Sequence, residues 1–233
     1  MKTIGLLGGM SWESTVTYYQ VINETIKKEL GGLHSAKCIL YSVDFDEIET
    51  YQSRGEWDKS AEVLAQAAQA LEKAGADYIV ICTNTMHKVA TEIRRKITIP
   101  LLHIADTTAM ELKKSRIKKV GLLGTKYTMQ QEFYKKVLQD NDIEVIVPDD
   151  ADIEVVNRII YGELCLGKIT APSKAAYLRI ISELSQQGAQ GIILGCTEIG
   201  LLVKQSDTSV PLFDTTLIHA EKAALDAIAQ QEL

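Results

Sequence analysis

The chain has 233 residues, 46% hydrophobic and 24% charged, an ordinary globular balance that excludes disorder and a collagen-like fibre. Lysines and arginines number 25 against 31 acids, a formal charge of −6 without a polybasic run, so neither nucleic acid nor an anionic membrane surface is an expected partner. No stretch approaches the ~20 apolar residues of a membrane-spanning helix.

Residues 4–7 form a short apolar run closed by Gly8-Gly9, the pattern of a strand buried on both faces of a parallel sheet. It begins too early to leave room for a secretory leader. The four cysteines (Cys38, Cys82, Cys165 and Cys196) lack CxxC spacing, which argues against a disulfide framework or a zinc knuckle. A cytoplasmic protein with free thiols is expected. Ser11 is the predicted N-cap of the next helix, with Ser14 as the alternative, and Tyr19, Ile22, Ile26 and Leu30 recur at helical spacing until Gly31-Gly32 ends it. Residues 38–43 are a second strand. Residues 45–60 read as a polar surface loop with a helical turn, a flap over a site being the alternative. Residues 61–74 are a helix and residues 78–81 a third strand. In the second half, strands are predicted at 120–123, 145–147 and 192–194, and helices near 130–138, 153–164 and 173–186. A last helix is expected over about 216–231.

This order is an internal duplication. Ile4-Gly5-Leu6-Leu7-Gly8 returns as Val120-Gly121-Leu122-Leu123-Gly124, residues 75–84 return as 188–197, and Ile99-Pro100-Leu101 returns as Val210-Pro211-Leu212, at offsets of 116, 113 and 111. Alternating strands and helices imply parallel sheets covered by helices. The expected fold class is therefore α/β with two pseudo-symmetric lobes, divided between His103 and Lys118, while the last helix could cover either lobe.

Ligands of open α/β sheets bind beyond the carboxyl ends of the strands. Those ends carry Gly8-Gly9-Met10-Ser11, Thr83-Asn84-Thr85, Gly124-Thr125 and Cys196-Thr197-Glu198. A pseudo-twofold relation would gather the four turns around one cleft holding hydroxyls, amides, helix starts and one thiol. Such turns suit a small carboxylate, and proton removal and return at the α-carbon of an amino acid is the natural task. The thiol would act as thiolate, so its pKa must fall from about 8.5, with the helix start after Cys196 supplying part of the shift. A free cysteine is more often core than catalytic; for Cys196 the repeat and the Gly-Cys-Thr-Glu context reverse those odds. Cys38 and Cys82 keep the core reading and Cys165 a structural one. His87 reads as a hydrogen-bonded structural residue, and His103 and His219 as residues that orient groups near the lobe junction. Thr125 would equally serve as a helix cap. Neither GxGxxG nor GxxxxGK[ST] occurs, and no convergent metal-ligand set is visible.

The segments Gly8-Gly9-Met10-Ser11-Trp12-Glu13-Ser14, Thr83-Asn84-Thr85-Met86-His87, Pro100-Leu101-Leu102-His103-Ile104-Ala105-Asp106 and Gly195-Cys196-Thr197-Glu198 resemble the aspartate/glutamate racemases that work without pyridoxal phosphate. The resemblance runs end to end, with the bacterial L-specific or broad-specificity branch nearest. It implies two pseudo-symmetric α/β lobes, an active site in the interlobe cleft, no cofactor and no metal, a dicarboxylic amino acid as substrate, and a homodimer. The C-terminal helix would return to the first lobe, giving residues 1–105 with about 212–233 as one lobe and about 106–211 as the other. By motif it assigns Cys196 as catalytic and Met10, Gln52, Asn84, Thr85, Thr125, Thr197 and Glu198 as substrate contacts.

Where the family carries its other catalytic cysteine, this chain has Thr83, which the internal alignment also pairs with Cys196. Threonine is a far weaker acid than a thiol. Cys196 is therefore expected to take the proton of one enantiomer, which the resemblance implies is the L form, with Thr83 donating or relaying one; since the equilibrium favours neither enantiomer, the bias is kinetic. Related racemases place a lysine near residues 163–168 to hold the distal carboxylate; here Cys165 fills that slot, with Lys168 close by. Two other readings are a hydantoin-racemase or maleate-isomerase-like enzyme, the latter with cysteine attacking an alkene, and a catalytically silent protein that binds dicarboxylic amino acids.

Overall fold

The computed structural model describes residues 1–229, in two units: Met1–His103 together with the chain from His219, and Ile104–Ile218. The first contains β1 (Ile4–Gly8), α1 (Trp12–Leu30), β2 (Cys38–Ser42), α2 (Phe45–Ser53), α3 (Trp57–Lys73), β3 (Tyr78–Ile81), a 3-10 turn over Thr85–Val89, α4 (Ala90–Arg94) and β4 (Leu101–Leu102). Its four strands are parallel in the order β2-β1-β3-β4. The second contains α5 (Ile104–Lys114), β5 (Lys119–Gly124), α6 (Lys126–Gln130), α7 (Glu132–Gln139), β6 (Glu144–Ile146), α8 (Asp150–Gly162), a 3-10 turn over Leu164–Leu166, α9 (Ala171–Gln186), β7 (Ile192–Gly195), α10 (Ile199–Leu202) and β8 (Leu212–Asp214). Its parallel order is β6-β5-β7-β8, the same crossover pattern. The last helix, α11 (Thr215–Ile228), starts in the second unit and continues into the first; residues 230–231 of the expected helix lie outside the described residues. The fold class read from the duplication is the one observed. No helix among the described residues is long and apolar enough to cross a membrane.

Strand alternation divides each core into two layers. In the first unit Leu7, Ile79 and Ile81 pack against the alanine- and leucine-rich face of α3, and Ile4, Leu6, Tyr78, Val80 and Cys82 pack against Tyr18, Ile22 and Ile26 of α1 and the alanines of α11. In the second, Leu123, Ile192 and Leu194 meet α8 and α9, while Val120, Leu122 and Ile193 meet α5 and α7. Such interiors pack densely, and burying one large apolar side chain contributes roughly 1.5–3 kcal/mol.

Several local expectations are corrected. The buried face of α1 is Ser14, Thr15, Tyr18, Ile22 and Ile26, whereas Tyr19 and Leu30 are 55% and 43% exposed. Tyr18 wins the inward place because its hydroxyl reaches the ring of His219 at 2.8 Å, a partner that spacing along α1 cannot reveal. Residues 45–60 are not a loop: Asp44 caps α2 by accepting from the Asp46 N–H, Ile48 and Gln52 turn inward, and α3 starts at Trp57. The helix expected near 130–138 is α7, and the unanticipated short helix α6 precedes it, the two separated by the extended Gln131. The short strands β4 and β8 complete each sheet where the Pro100 and Pro211 segments had shown only a repeat.

Candidate active site

In the second unit the chain leaves β7 at Gly195 and turns through Cys196, Thr197 and Glu198 into α10. The Cys196 thiol continues the alternation of Ile192 and Leu194 and packs in the same apolar cluster, 8% exposed. Its Sγ donates to Oε2 of Glu198 at 3.0 Å, and the Thr197 hydroxyl donates to the same oxygen at 2.6 Å. Burial pushes the Cys196 thiol well above the usual range, and the charge of Glu198 adds to the effect; the Glu198 backbone N–H pulls the other way but does not prevail. The helix start after Cys196 was expected to supply part of the fall needed for a thiolate. A four-residue helix and one N–H are too little against the thiol's own burial and the neighbouring Glu198, and the thiol donates to Glu198 as S–H.

The turn is held from beneath. Asp214, at the end of β8, accepts from the N–H groups of Thr216 and Leu217, and its carboxylate lies against Gly200, where a Cβ would meet Oδ2 at 2.2 Å. Thr215 donates to the Leu194 carbonyl at 2.8 Å. Thr125 caps α6, accepting from the Thr128 N–H, as its helix-cap reading anticipated.

In the first unit the corresponding turn follows β3. Leu7 of β1 stands beside Ile81, and in the second sheet Leu123 of β5 stands beside Leu194. Thr83 and Cys196 are each two residues further on, so strand register gives them the same place in their lobes. Cys82, one residue earlier, is fully buried on the opposite face against Ile4, Leu6 and Tyr18, and burial pushes its thiol up. Thr83 is half-buried, and Asn84 and Thr85 are buried beside it. The carbonyl of Cys82 accepts from the Ser14 hydroxyl at 2.9 Å, and the carbonyl of Thr83 from Nδ1 of His87 at 2.8 Å.

The turn after β1 is built on Gly9, whose φ of +92° favours glycine and whose Cβ would lie 2.2 Å from the Val43 carbonyl oxygen. The Gly9 N–H donates to Thr15, which in turn donates to the Ser11 carbonyl. Met10 is buried in the apolar cluster with Leu7, Ile48 and Leu64, and Gln52 is buried on α2. Cys165 lies half-buried against the cluster that holds Cys196, while Lys168 is exposed. The expected site residues thus fall into a Cys196–Thr197–Glu198 group with Thr125 in one lobe, and a Thr83–Asn84–Thr85 group with Met10 and Gln52 in the other. Sequence reading missed the bond from Cys196 to Glu198, for which the only signal was a carboxylate two residues after the thiol, and the supporting roles of Ser14 and Asp214.

The sequence profile of the Asp/Glu/Hydantoin racemase family matches residues 7–223. The chain is 28% identical to the broad specificity amino-acid racemase RacX of Bacillus subtilis over 232 residues, 98% of this chain and 99% of that protein. Among solved structures, a candidate Asp/Glu racemase from Yersinia pestis is 59% identical with a TM-score of 0.92, covering 98% of this chain and 100% of the other. An aspartate racemase homologue from Pyrococcus horikoshii OT3 is 39% identical with a TM-score of 0.85, again over 98% and 100%. With a family match spanning nearly its whole length, this chain belongs to the Asp/Glu/Hydantoin racemases.

Proposed function

We propose that this protein racemises aspartate or glutamate without a cofactor, Cys196 removing the α-hydrogen of the L-enantiomer as a proton. The observation that carries the reading is the Cys196–Glu198 hydrogen bond at the carboxyl end of β7, where a thiol has a carboxylate acceptor already in place. A thiol raised this far is a poor base until its proton leaves, at a cost of about 1.4 kcal/mol for each pKa unit above the working pH. Glu198 takes that proton along the existing hydrogen bond. The ammonium group of a bound amino acid favours the thiolate by its charge. Glu198 therefore acts on the thiol, and a substrate carboxylate would be repelled by it.

The thiolate then accepts the α-proton, leaving the electron pair on the α-carbon and restoring S–H. A proton returns to the other face from water through the Thr83 hydroxyl, and Glu198 gives its proton back to solvent. One proton leaves the α-carbon and one arrives, so charge and atoms balance. Because an alcohol is a much weaker acid than a thiol, the step through Thr83 is the slower one. The equilibrium constant of racemisation is one, so kcat/KM for full inversion must be equal in both directions. The asymmetry appears instead as fast exchange of the L-enantiomer's α-hydrogen with solvent, ahead of inversion.

Proton NMR in D₂O with L- and D-aspartate and L- and D-glutamate supplied separately tests this. The reading expects the α-signal of an L-substrate to disappear faster than its D-enantiomer accumulates, and D-substrates to exchange more slowly. No α-exchange from any of the four, with binding intact, would favour a silent binding protein. Reaction of an alkene diacid without α-exchange would favour the isomerase alternative.

A further inference from the structure

Three of the chain's four histidines meet in one buried cluster in the first unit, outside the groups assigned above. His87 follows β3, His103 follows β4 and His219 lies on α11, and all three are buried with Tyr18 of α1. The His87 ring stands edge-on to His103 at 4.6 Å between centroids and to His219 at 5.7 Å, and Tyr18 packs edge-on against His219 at 5.6 Å. The hydrogen bonds fix the protons. Leu102 offers only a carbonyl to Nε2 of His219 at 3.1 Å, so that nitrogen carries hydrogen and Nδ1 accepts from the Tyr18 hydroxyl. Thr83 likewise offers only a carbonyl, so Nδ1 of His87 is the donor.

We propose that His87 is a positioning residue for the Thr83 turn: its ring, wedged between His103 and His219, pins the Thr83 carbonyl and so sets the direction in which residues 83–85 leave the sheet. The inference rests on the proposed role of Thr83. A second clamp acts one residue earlier, where Ser14 holds the Cys82 carbonyl, so two consecutive carbonyls past the end of β3 are tied to neighbouring elements instead of to water. Only an uncharged ring fits. Burial disfavours the charged form of all three rings, and repulsion adds to it: among the rings themselves, and from the guanidinium of Arg94 on His87 and His103. Arg94 itself donates to the Leu101 carbonyl, and the ammonium of Lys88 sits over the Trp57 ring, 3.7 Å from its centroid.

The test compares His87→Asn, whose amide nitrogen can take the place of Nδ1, with His87→Gln, which reaches toward the other ring nitrogen, and with His87→Leu. Two readouts are used: amide hydrogen exchange by peptide, and α-hydrogen exchange kinetics on L-aspartate over pH 5–9. In His87→Leu and His87→Gln, exchange in residues 83–87 rises about tenfold while the rest of the lobe keeps wild-type protection. In the same variants kcat falls about tenfold, KM moves less than about threefold, and His87→Asn recovers most of both losses. Because burial keeps the three rings uncharged across pH 5–9, the kcat profiles of the wild type and His87→Asn run parallel over that range. Unchanged protection of residues 83–87 in His87→Leu, or equal losses in the Asn and Gln variants, would overturn the proposal. If the wild type shows no α-exchange, the racemase reading fails, and the amide-exchange arm alone still decides the role of His87.

Discussion

The thiol of Cys196 donates to the carboxylate of Glu198 across 3.0 Å, and the same carboxylate oxygen accepts the Thr197 hydroxyl. Burial first, and then the charge and hydrogen bond of Glu198, hold the thiol in its protonated form. Glu198→Gln separates two properties that ordinarily move together. Without the carboxylate, the thiol pKa falls and alkylation of Cys196 by iodoacetamide at pH 7–8 becomes faster. Without an acceptor for its proton, α-exchange of L-substrate slows by about 10²-fold, the ordinary size of a general-base contribution. Parallel alkylation and exchange assays on one preparation check both.

Thr83 and Cys196 occupy equivalent register positions, two residues beyond the strand partners Ile81 and Leu194. Thr83→Cys places a thiol where the family's other cysteine is expected. Exchange from D-aspartate or D-glutamate is expected to rise tenfold or more, with L-side exchange within about threefold of wild type. Separate enantiomers in D₂O give the answer; a folded variant with unchanged D-side exchange would argue against the role given to Thr83.

The buried histidines make stability acid-sensitive. Burial lowers His103 to about 4 and His219 to about 3, and takes His87 well below its ordinary value. Between pH ~6.5 and ~4 the unfolded chain therefore binds protons that the folded chain does not, so stability falls as pH falls through this window, each histidine contributing up to about 1.4 kcal/mol per pH unit. Urea unfolding at pH 7, 6 and 5 is expected to show a progressive loss of stability, with a shallower slope in His219→Asn.

Gly9 is the tightest backbone approach in the first lobe, with a left-handed φ and the Val43 carbonyl 2.2 Å from any added Cβ. Gly9→Ala combines backbone strain with a clash against backbone that cannot rotate away, and is expected to lower stability by about 2–4 kcal/mol. Gly31→Ala, where a Cβ would meet nothing although φ is also positive, is expected to cost only about 1 kcal/mol. Thermal melts of the two variants compare these costs.

The parallel sheets were legible because their inner strands β1, β3, β5 and β7 are buried on both faces and read as short apolar runs, and because the chain states its plan twice. The pairing of Thr83 with Cys196 came from that repeat, and strand register gives the same equivalence. The helix α2 was not legible: it turns only Ile48 and Gln52 inward, too few for a 3.6-residue period. The inward face of α1 was misjudged because Tyr18 is fixed by His219, 201 residues away. The histidine cluster was invisible for the same reason. Context singled out Cys196 as a candidate, but its protonation state depends on burial and on the side-chain direction of Glu198, which no spacing encodes.

The central claim is that one buried sulfur removes the α-hydrogen. Its most direct test follows the α-signal of L-aspartate and L-glutamate in D₂O with wild-type protein and with Cys196→Ser, folding of both verified by circular dichroism. The account predicts loss of the α-signal with wild type and a rate at least about 10³-fold lower with the serine variant, as expected when a catalytic base is removed. Exchange at the wild-type rate in Cys196→Ser would contradict it.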